Sequence, residues 1–238
     1  MARVLDCFSA VDRRLTLGRI AELTGMPKTT VHRILAALAL IGFVEQDARG
    51  WGLGLGLFRL GSLALASMDL HREAAPVMAR LAQASGEAVH LGVFDGTRIV
   101  VVERRQRAGD ARATVTELES APAHCTGVGK AALAFQDEAA VERLLRAGLE
   151  RFTRQTVTDP AALRRELARV RARGYAVDDG EHTPGVRCVA APIRDAAGRV
   201  FAALSVTGPA ARLSDARLPL LAQMVQRAGA EIGRRLAG

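Results

Sequence analysis

Aromatic side chains are scarce. Phe, Trp and Tyr make up 4% of the 238 residues, with one tryptophan, Trp51, and one tyrosine, Tyr175. Any core must therefore come from Leu, Val, Ile and Ala, and the 49% hydrophobic content supplies them. Cysteines are few and far apart. Cys7, Cys125 and Cys188 form no Cys-x-x-Cys pair, so neither a disulfide framework nor a zinc ribbon is indicated. Isolated free thiols suit a reducing compartment. No run of about 18 apolar residues is free of charge, so no membrane span and no membrane partner is expected. The opening MARVLDCF lacks the basic, apolar and cleavage regions of a secretion signal. The expectation is a cytoplasmic protein. Internal repeats and low-complexity tracts are also missing, and the length leaves room for one large domain or two modest ones.

Lysine is nearly absent, although the net charge is +8. Lys28 and Lys130 are the only lysines, so arginine carries almost all of the positive charge. Together with the abundance of Ala and Gly, this reads as base-composition bias in the gene. A basic balance favours polyanionic partners without specifying a fold. Residues 1–70 hold 8 basic and 6 acidic side chains, so the global excess does not single out the N-terminal part. One window does stand out. No acid occurs between Glu22 and Glu45, where Lys28, His32 and Arg33 lie.

That window belongs to Leu17–Leu40, LGRIAELTGMPKTTVHRILAALAL, which reads as two short helices around a Gly25-Met26-Pro27 turn. Leu17, Ile20, Ala21 and Leu23 mark the first, with Thr16 as its N-cap. Pro27 suits the first turn of the second, which should run to about Ile41 and end at Gly42. At about 100° per residue, Val31, Ile34, Leu35 and Leu38 share one side. Thr29, Arg33 and Ala36 lie opposite, with Thr30 and His32 on the flanks. Such a helix can approach base edges in a DNA major groove. Arg33 can grip guanine through paired hydrogen bonds. Thr29 and Thr30 can meet phosphate or a thymine methyl, and Lys28 and His32 add basic groups. The pattern equally fits an ordinary solvated helix face. Phe43–Glu45 and Trp51–Leu53 then flank a polar turn, a small hairpin with Arg49 at its tip. Val4, Leu5, Phe8 and Val11 supply a helix ahead of the pair. The unit therefore reads as a winged helix-turn-helix for double-stranded DNA.

Leu55–Ala66 is apolar at helical spacing, a further helix should span Arg72–Ser85, and the polar break Met68–His71 divides the chain. The expected domains are 1–54, a winged helix-turn-helix; 55–70, a linker helix; and 71–238. In the last, Val89–Phe94 and Arg98–Glu103 read as a hairpin about Asp95-Gly96. Gly127–Phe135, Glu138–Arg146 and Asp159–Arg173 read as helices, the last closed by Gly174. Tyr175–Asp178, Val186–Ile193 and Val200–Val206 read as strands. Ser214 should cap a final helix with Leu218, Leu221, Val225, Ala228, Ile232 and Leu236 inward. Strands and helices mixed in this order imply an α+β domain.

Several segments there suit a small anion. His124-Cys125-Thr126-Gly127-Val128-Gly129-Lys130 precedes a helical run whose first amides attract carboxylate or phosphate. It is no Walker A loop, since His124 and Ala131 stand where Gly and Ser or Thr are needed. Asp178 ends one expected strand, Cys188 lies on another, and Ser205 and Thr207 share one face of the last. Plain packing also accounts for parts of this set. Cys188 could be a small buried hydrophobe, the glycines could permit close approach, and the hydroxyls could face solvent. Two rival functions use the same residues. A thiol enzyme would need His124, Cys125 and Asp178, yet adjacent strand residues face opposite ways. A metal sensor would need Cys125, His182 and Cys188, whose spacing matches no strong zinc motif. Nothing specific favours a domain that only binds partner proteins.

The helix-turn-helix stretch, HCTGVGKAALAF, LERFTRQTVTDPAALRRELARVRARGYAVDDGEH, GVRCVAAPIRD and GRVFAALSVTGPAARL occur in one order across most of the chain. Together they resemble the isocitrate-lyase-regulator (IclR) family of bacterial transcription factors. The resemblance implies a winged helix-turn-helix, a linker helix and a C-terminal GAF-like effector domain, assembled as a homodimer or homotetramer. It implies a small carboxylic or aromatic acid as effector and an operator as DNA partner, with no cofactor, metal or catalysis. It places Gly127 and Val128 as amide donors to the acid, Asp178, Cys188, Ser205 and Thr207 as a polar wall, and Val186 as an apolar contact. Thr207 stands where serine is common and Val128 where alanine is common, and both narrow the expected cavity.

Overall fold

The computed structural model describes residues 1–8, 12–67, 69–105 and 119–237. They fall into two compact units, Met1–Met68 and Asp69–Gly238. The division lies within the polar break, and the helix expected as a separate linker groups with the first unit.

The first unit opens with α1 (Ala2–Leu5), shorter than the expected helix; Val11 lies outside the described residues. α2 (Leu17–Thr24) is capped as anticipated: Arg19 N–H donates to Thr16 Oγ1 at 3.2 Å. Gly25, at φ +67, closes it in the left-handed region that disfavours a Cβ. α3 (Lys28–Leu40) follows Pro27, which caps the helix rather than entering it. Gly42, at φ +72, turns the chain, and the Phe43 amide returns to the Leu38 carbonyl at 2.9 Å. β1 (Val44–Asp47) and β2 (Gly50–Leu53) pair antiparallel. Leu15 joins them by exchanging two 2.9 Å backbone bonds with Trp51. Trp51 is buried with Ile20, Val31, Leu35, Leu38 and Val44, so it anchors the hairpin on the helices. Cys7 only flanks this core, half-buried. β2 runs into α4 (Leu55–Ser67) through Gly54, where a Cβ would stand 2.4 Å from the Gly42 carbonyl oxygen.

The second unit begins with α5 (Asp69–Ser85), three residues earlier than expected. Then come β3 (Ala88–Phe94), β4 (Arg98–Arg105) and β5 (Glu119–Pro122). Three helices follow, α6 (Gly127–Leu133), α7 (Glu138–Ala147) and α8 (Pro160–Arg173). The chain ends with β6 (Ala176–Asp179), β7 (Val186–Arg194), β8 (Val200–Pro209) and α9 (Leu218–Ala237). The six strands form one antiparallel sheet in the order β5-β4-β3-β8-β7-β6. α5 and α9 pack together on one face, and α6 packs on the other with α8 against it. The α6 side holds an aliphatic core that includes Ile99, Ala123, Ala131, Leu133, Leu163, Leu167 and Ala203.

Two expectations need correction. The edge strand β5 was not foreseen, because its short sequence, ESAP, carries no alternation; proline is tolerated at such an edge. Ser214 does not cap α9. Its backbone carbonyl accepts from Arg217 and Leu218 in a turn, and the helix starts only at Leu218. Leu218 and Leu236 are half-buried, whereas Ala222 and Gly229 join the buried stripe. A Cβ on Gly229 would lie 2.7 Å from the Pro192 carbonyl oxygen, so close packing on β7 selects glycine over a larger residue. Among the described residues no helix is long and apolar enough to cross a membrane.

Candidate functional site

α3 separates its two sides cleanly. Val31, Leu35 and Leu38 are buried, with Ile34 packed at their margin. Lys28, Thr29, Thr30, His32, Arg33 and Ala36 are exposed. Among the described residues, none of the five polar side chains in that set makes an ion pair or a side-chain hydrogen bond. A basic, hydroxyl-bearing edge is thus held out by a buried apolar one. Arg49 is also exposed, at the β1–β2 turn, but it is not an isolated charge. Its side chain pairs with Asp47 at 3.3 Å. Its backbone N–H donates to Asp47 at 2.8 Å, which holds that carboxyl below the usual range. Arg14 neutralises Glu45 at 2.5 Å. The hairpin is therefore close to electrically balanced, and the net positive edge belongs to α3.

In the second unit, strand register gathers the other sequence-predicted residues on the α6 face of the sheet. Asp178, Cys188 and Thr207 lie side by side on β6, β7 and β8. Ser205 lies in the next row, beside Ala190. Ser205 and Thr207 hydroxyls are 3.2 Å apart, and Thr207 Oγ1 donates to Cys188 Sγ at 3.2 Å. Ser205 is 1% exposed, so its hydroxyl does not face solvent. α6 reaches this row directly. A Cβ on Gly127 would stand 3.0 Å from Cys188 Cβ, and one on Gly129 would stand 2.5 Å from Ala123 Cα. Thr126 caps the helix through the Gly129 amide at 3.2 Å. The Val128 side chain packs into the aliphatic core, which leaves its backbone amide as what it can present. Val186 is half-buried at the start of β7, on the same face.

This face also carries accessible surface where a covered mid-sheet strand should have none. Ala88, Cys188 and Thr207 are half-buried. On the opposite face, Val89, Val189 and Val206 are each 0% exposed. Accessible area therefore remains beside Cys188 and Thr207 on the α6 face, while Ser205 is closed off beneath it. Burial pushes the Cys188 thiol up to about 12, with the Asp178 charge adding to it. Burial also raises Asp178, opposed by the Glu181 amide and the Lys130 charge. Asp178 Oδ1 accepts that amide at 2.7 Å.

Lys130 was legible as part of a motif but not in its role. It is 1% exposed, donates to the Val177 carbonyl at 2.6 Å, and pairs with Glu181. It thereby fastens α6 to β6, which carries Asp178, and to the loop that follows. Only the contrast of one lysine in an apolar helix hinted at this. Burial pushes the Glu181 carboxyl up to about 7 despite that partner.

The rival readings fail on geometry. Cys125 is fully buried and its thiol is pushed up to about 12 by burial, with the Asp178 charge second. A nucleophilic thiol needs the opposite shift. The His124 ring is engaged 2.9 Å from the Glu150 carbonyl oxygen. Cys125, His182 and Cys188 do not assemble: among the described residues no three His, Cys, Asp or Glu side chains are grouped to hold a metal.

Comparison with known proteins agrees with both halves. Residues 1–48 match the IclR helix-turn-helix domain, and residues 62–234 match the bacterial transcriptional regulator IclR C-terminal domain. The chain is 41% identical over 235 residues to the HTH-type transcriptional regulator BhcR of Paracoccus denitrificans, covering 97% of this chain and 84% of that one. The IclR transcriptional regulator of Alicyclobacillus acidocaldarius superposes with a TM-score of 0.80 at 29% identity, over 99% of this chain and 96% of that one. An IclR homolog from Microbacterium hydrocarbonoxydans, complexed with 4-hydroxybenzoate, superposes with a TM-score of 0.73 at 30% identity, over 99% and 96%. The second unit accordingly has the α+β, GAF-like architecture of the family, and the relatives are named as regulators rather than enzymes. This chain belongs to the IclR family of bacterial transcriptional regulators.

Proposed function

We propose that this regulator reads operator DNA through α3 and responds to a small organic acid held in the cavity beside α6. The observation that carries the DNA half is the exposed, unpaired edge of Lys28, Thr29, Thr30, His32 and Arg33 on a helix otherwise locked into its core. Arg33 reads a base, and Arg49 and the first-turn threonines hold the phosphates. For the acid, Gly127 and Val128 supply amides, Ser205 and Thr207 supply hydroxyls, and Asp178, Cys188 and Val186 complete the wall. The 4-hydroxybenzoate complex of the Microbacterium hydrocarbonoxydans relative supports an acid as the ligand class.

Regulation follows from symmetry. Leu40, Ile41, Leu53, Leu55 and Phe58 are exposed apolar side chains on the first unit, which supports pairing with a second copy. Paired reading helices must match half-sites one helical turn apart. An acid that prefers one arrangement of the effector units alters that spacing through α4, here the linker helix. A coupling of about 1–3 kcal/mol gives a 5- to 150-fold change in operator affinity. The site of action is the cytoplasm, where the operator is.

A gel-shift of the full chain on DNA upstream of its own gene, titrated with carboxylic and aromatic acids, tests both halves. An acid-dependent shift that Ser205→Ala weakens is the expected outcome. Absence of DNA binding removes the α3 assignment, and an undiminished response in Ser205→Ala removes the cavity assignment.

A further inference from the structure

β7 runs on past its neighbour β6. Their pairing begins at Ala176 opposite Ala190, so from Ala191 to Arg194 β7 has no β6 residue beside it. Pro192, which has no N–H to leave unpaired, lies in this open stretch. α9 packs against it closely. A Cβ on Gly229 would stand 2.7 Å from the Pro192 carbonyl oxygen, and one on Gly233 would stand 2.7 Å from that of Arg194. Gly174 after α8 and the turn between β7 and β8 border the same space, and a cavity of about 590 Å³ remains. Small-molecule sites span roughly 300–1,000 Å³. The lining shares no residue with the Asp178, Cys188 and Thr207 row.

Three arginines from three elements border this cavity: Arg171 of α8, Arg194 of β7 and Arg234 of α9. Among the described residues, Arg171 and Arg234 make neither an ion pair nor a side-chain hydrogen bond. Each stands in the last turn of its helix, where the dipole favours a cation without using its donors. Arg194 gives one N–H to the Gly198 carbonyl at 3.0 Å and lies 4.5 Å over the Phe135 ring, which fixes its plane and leaves its other donors. Arginines that tie the unit together are spent differently: Arg173 pairs with Glu166, and Arg187 with Asp179 and Asp215. The one acid in the lining, Asp195, is answered by Arg199 at 2.8 Å. The cavity therefore carries positive charge that no protein carboxylate meets. Between the arginines its floor is small and apolar, with Ala191, Gly229, Ala230 and Gly233.

We propose that this cavity binds a nucleoside polyphosphate as a second effector, independently of the acid site beside α6. Arg171 and Arg234 hold phosphate oxygens through paired N–H groups, the geometry a guanidinium fork supplies. The base rests on the small apolar floor beside the Arg194–Phe135 stack, whose guanidinium offers it a planar, cationic neighbour. Two guanidiniums without partners call for more than one negative charge on the ligand. An inorganic anion would satisfy them and leave the floor wet, whereas a base covers it.

Isothermal titration calorimetry of the full chain with ATP, inorganic tripolyphosphate and adenosine, at physiological salt and without magnesium, tests this. ATP should bind about tenfold more tightly than tripolyphosphate, the worth of one base resting on a planar group. Adenosine should bind most weakly. Arg171→Gln combined with Arg234→Gln should weaken ATP by about tenfold or more, as expected for lost charge-assisted hydrogen bonds. Arg143→Gln combined with Arg146→Gln removes the same charge from exposed positions of α7 outside the cavity, and should change ATP affinity by about twofold or less. Ala230→Glu keeps every arginine, adds a carboxylate at an exposed floor position, and should abolish binding. No ATP binding overturns the proposal, as does ATP binding that Arg171→Gln with Arg234→Gln or Ala230→Glu leaves untouched. Equal weakening by the two arginine pairs would reveal only the general field of a basic protein and overturns it as well. Tripolyphosphate binding as tightly as ATP would remove the base from the floor, and with it the nucleotide.

Discussion

The candidate DNA-reading residues lie close in sequence, between Lys28 and Arg49, and most share one side of a single helix. The candidate effector-site residues come from α6, β6, β7 and β8, spread from Gly127 to Thr207. On α3 the functional groups are exposed and lack partners among the described residues, because a helix packed on one side must leave the other bare. In the second unit Ser205, Thr207 and Cys188 are buried or half-buried and bonded to one another, because they belong to the inner face of a sheet. A surface built from local periodicity tolerates substitution of its outer residues. A cavity built from long-range register depends on the groups that hold its pieces together.

That contrast can be broken most forcefully at Lys130. Lys130→Ala leaves Glu181 as a buried carboxylate without its cation, an effect of about 3–5 kcal/mol. Thermal denaturation should show it as a large loss of stability, read by circular dichroism. Trp51 fluorescence reports only the first unit, so its transition should move far less; an equal shift would mean the units do not unfold separately. The next effect concerns binding rather than folding. Arg33→Ala should cost about 1–3 kcal/mol of operator affinity and relax base preference at one position. Full-length folding should be unchanged, since the side chain is exposed. Unaltered base preference in a binding-site selection would remove Arg33 from the reading role. Thr16→Ala should cost about 1 kcal/mol, the usual value of an N-cap, without touching either site. A denaturation midpoint identical to the parent would argue that the Arg19 amide finds another acceptor. The smallest change belongs to Arg49→Ala. Asp47 already offsets its charge, so affinity should fall slightly and evenly across sequences, with the salt slope reduced by about 1 or less. A strong, sequence-dependent loss would instead give the hairpin tip a base to read.

Much of the first unit was legible because its signals are local. Thr16, Gly25, Pro27 and Gly42 punctuate the chain where a cap or a positive φ is needed, and a four-residue apolar repeat orients α3. Trp51 as a packing anchor followed from the same logic. Less of the second unit was legible. The hairpin at Asp95-Gly96 and the helix closed by Gly174 announced themselves through turn residues. β5 did not, because a short edge strand needs neither alternation nor β-branched side chains. Ser214 misled because a serine before an apolar stripe looks like a cap whether or not a turn intervenes. Gly127 and Val128 were read for their amides, with close packing as the alternative for Gly127 and Gly129, and the structure shows that a Cβ would press on Cys188 at Gly127 and has no room at Gly129.

The chain by itself determined the α2 and α3 pair with the Thr16 cap and the exposed edge of α3, since each is encoded within a few turns of sequence, and the family to which the protein belongs, through motifs in order along most of its length. Tertiary structure alone decided that Asp178, Cys188 and Thr207 stand side by side with Ser205 in the next row, and that Lys130 is a buried fastener. Those relations depend on strand order and register, which arise from pairing between distant segments, and no local periodicity specifies which strand will lie beside which.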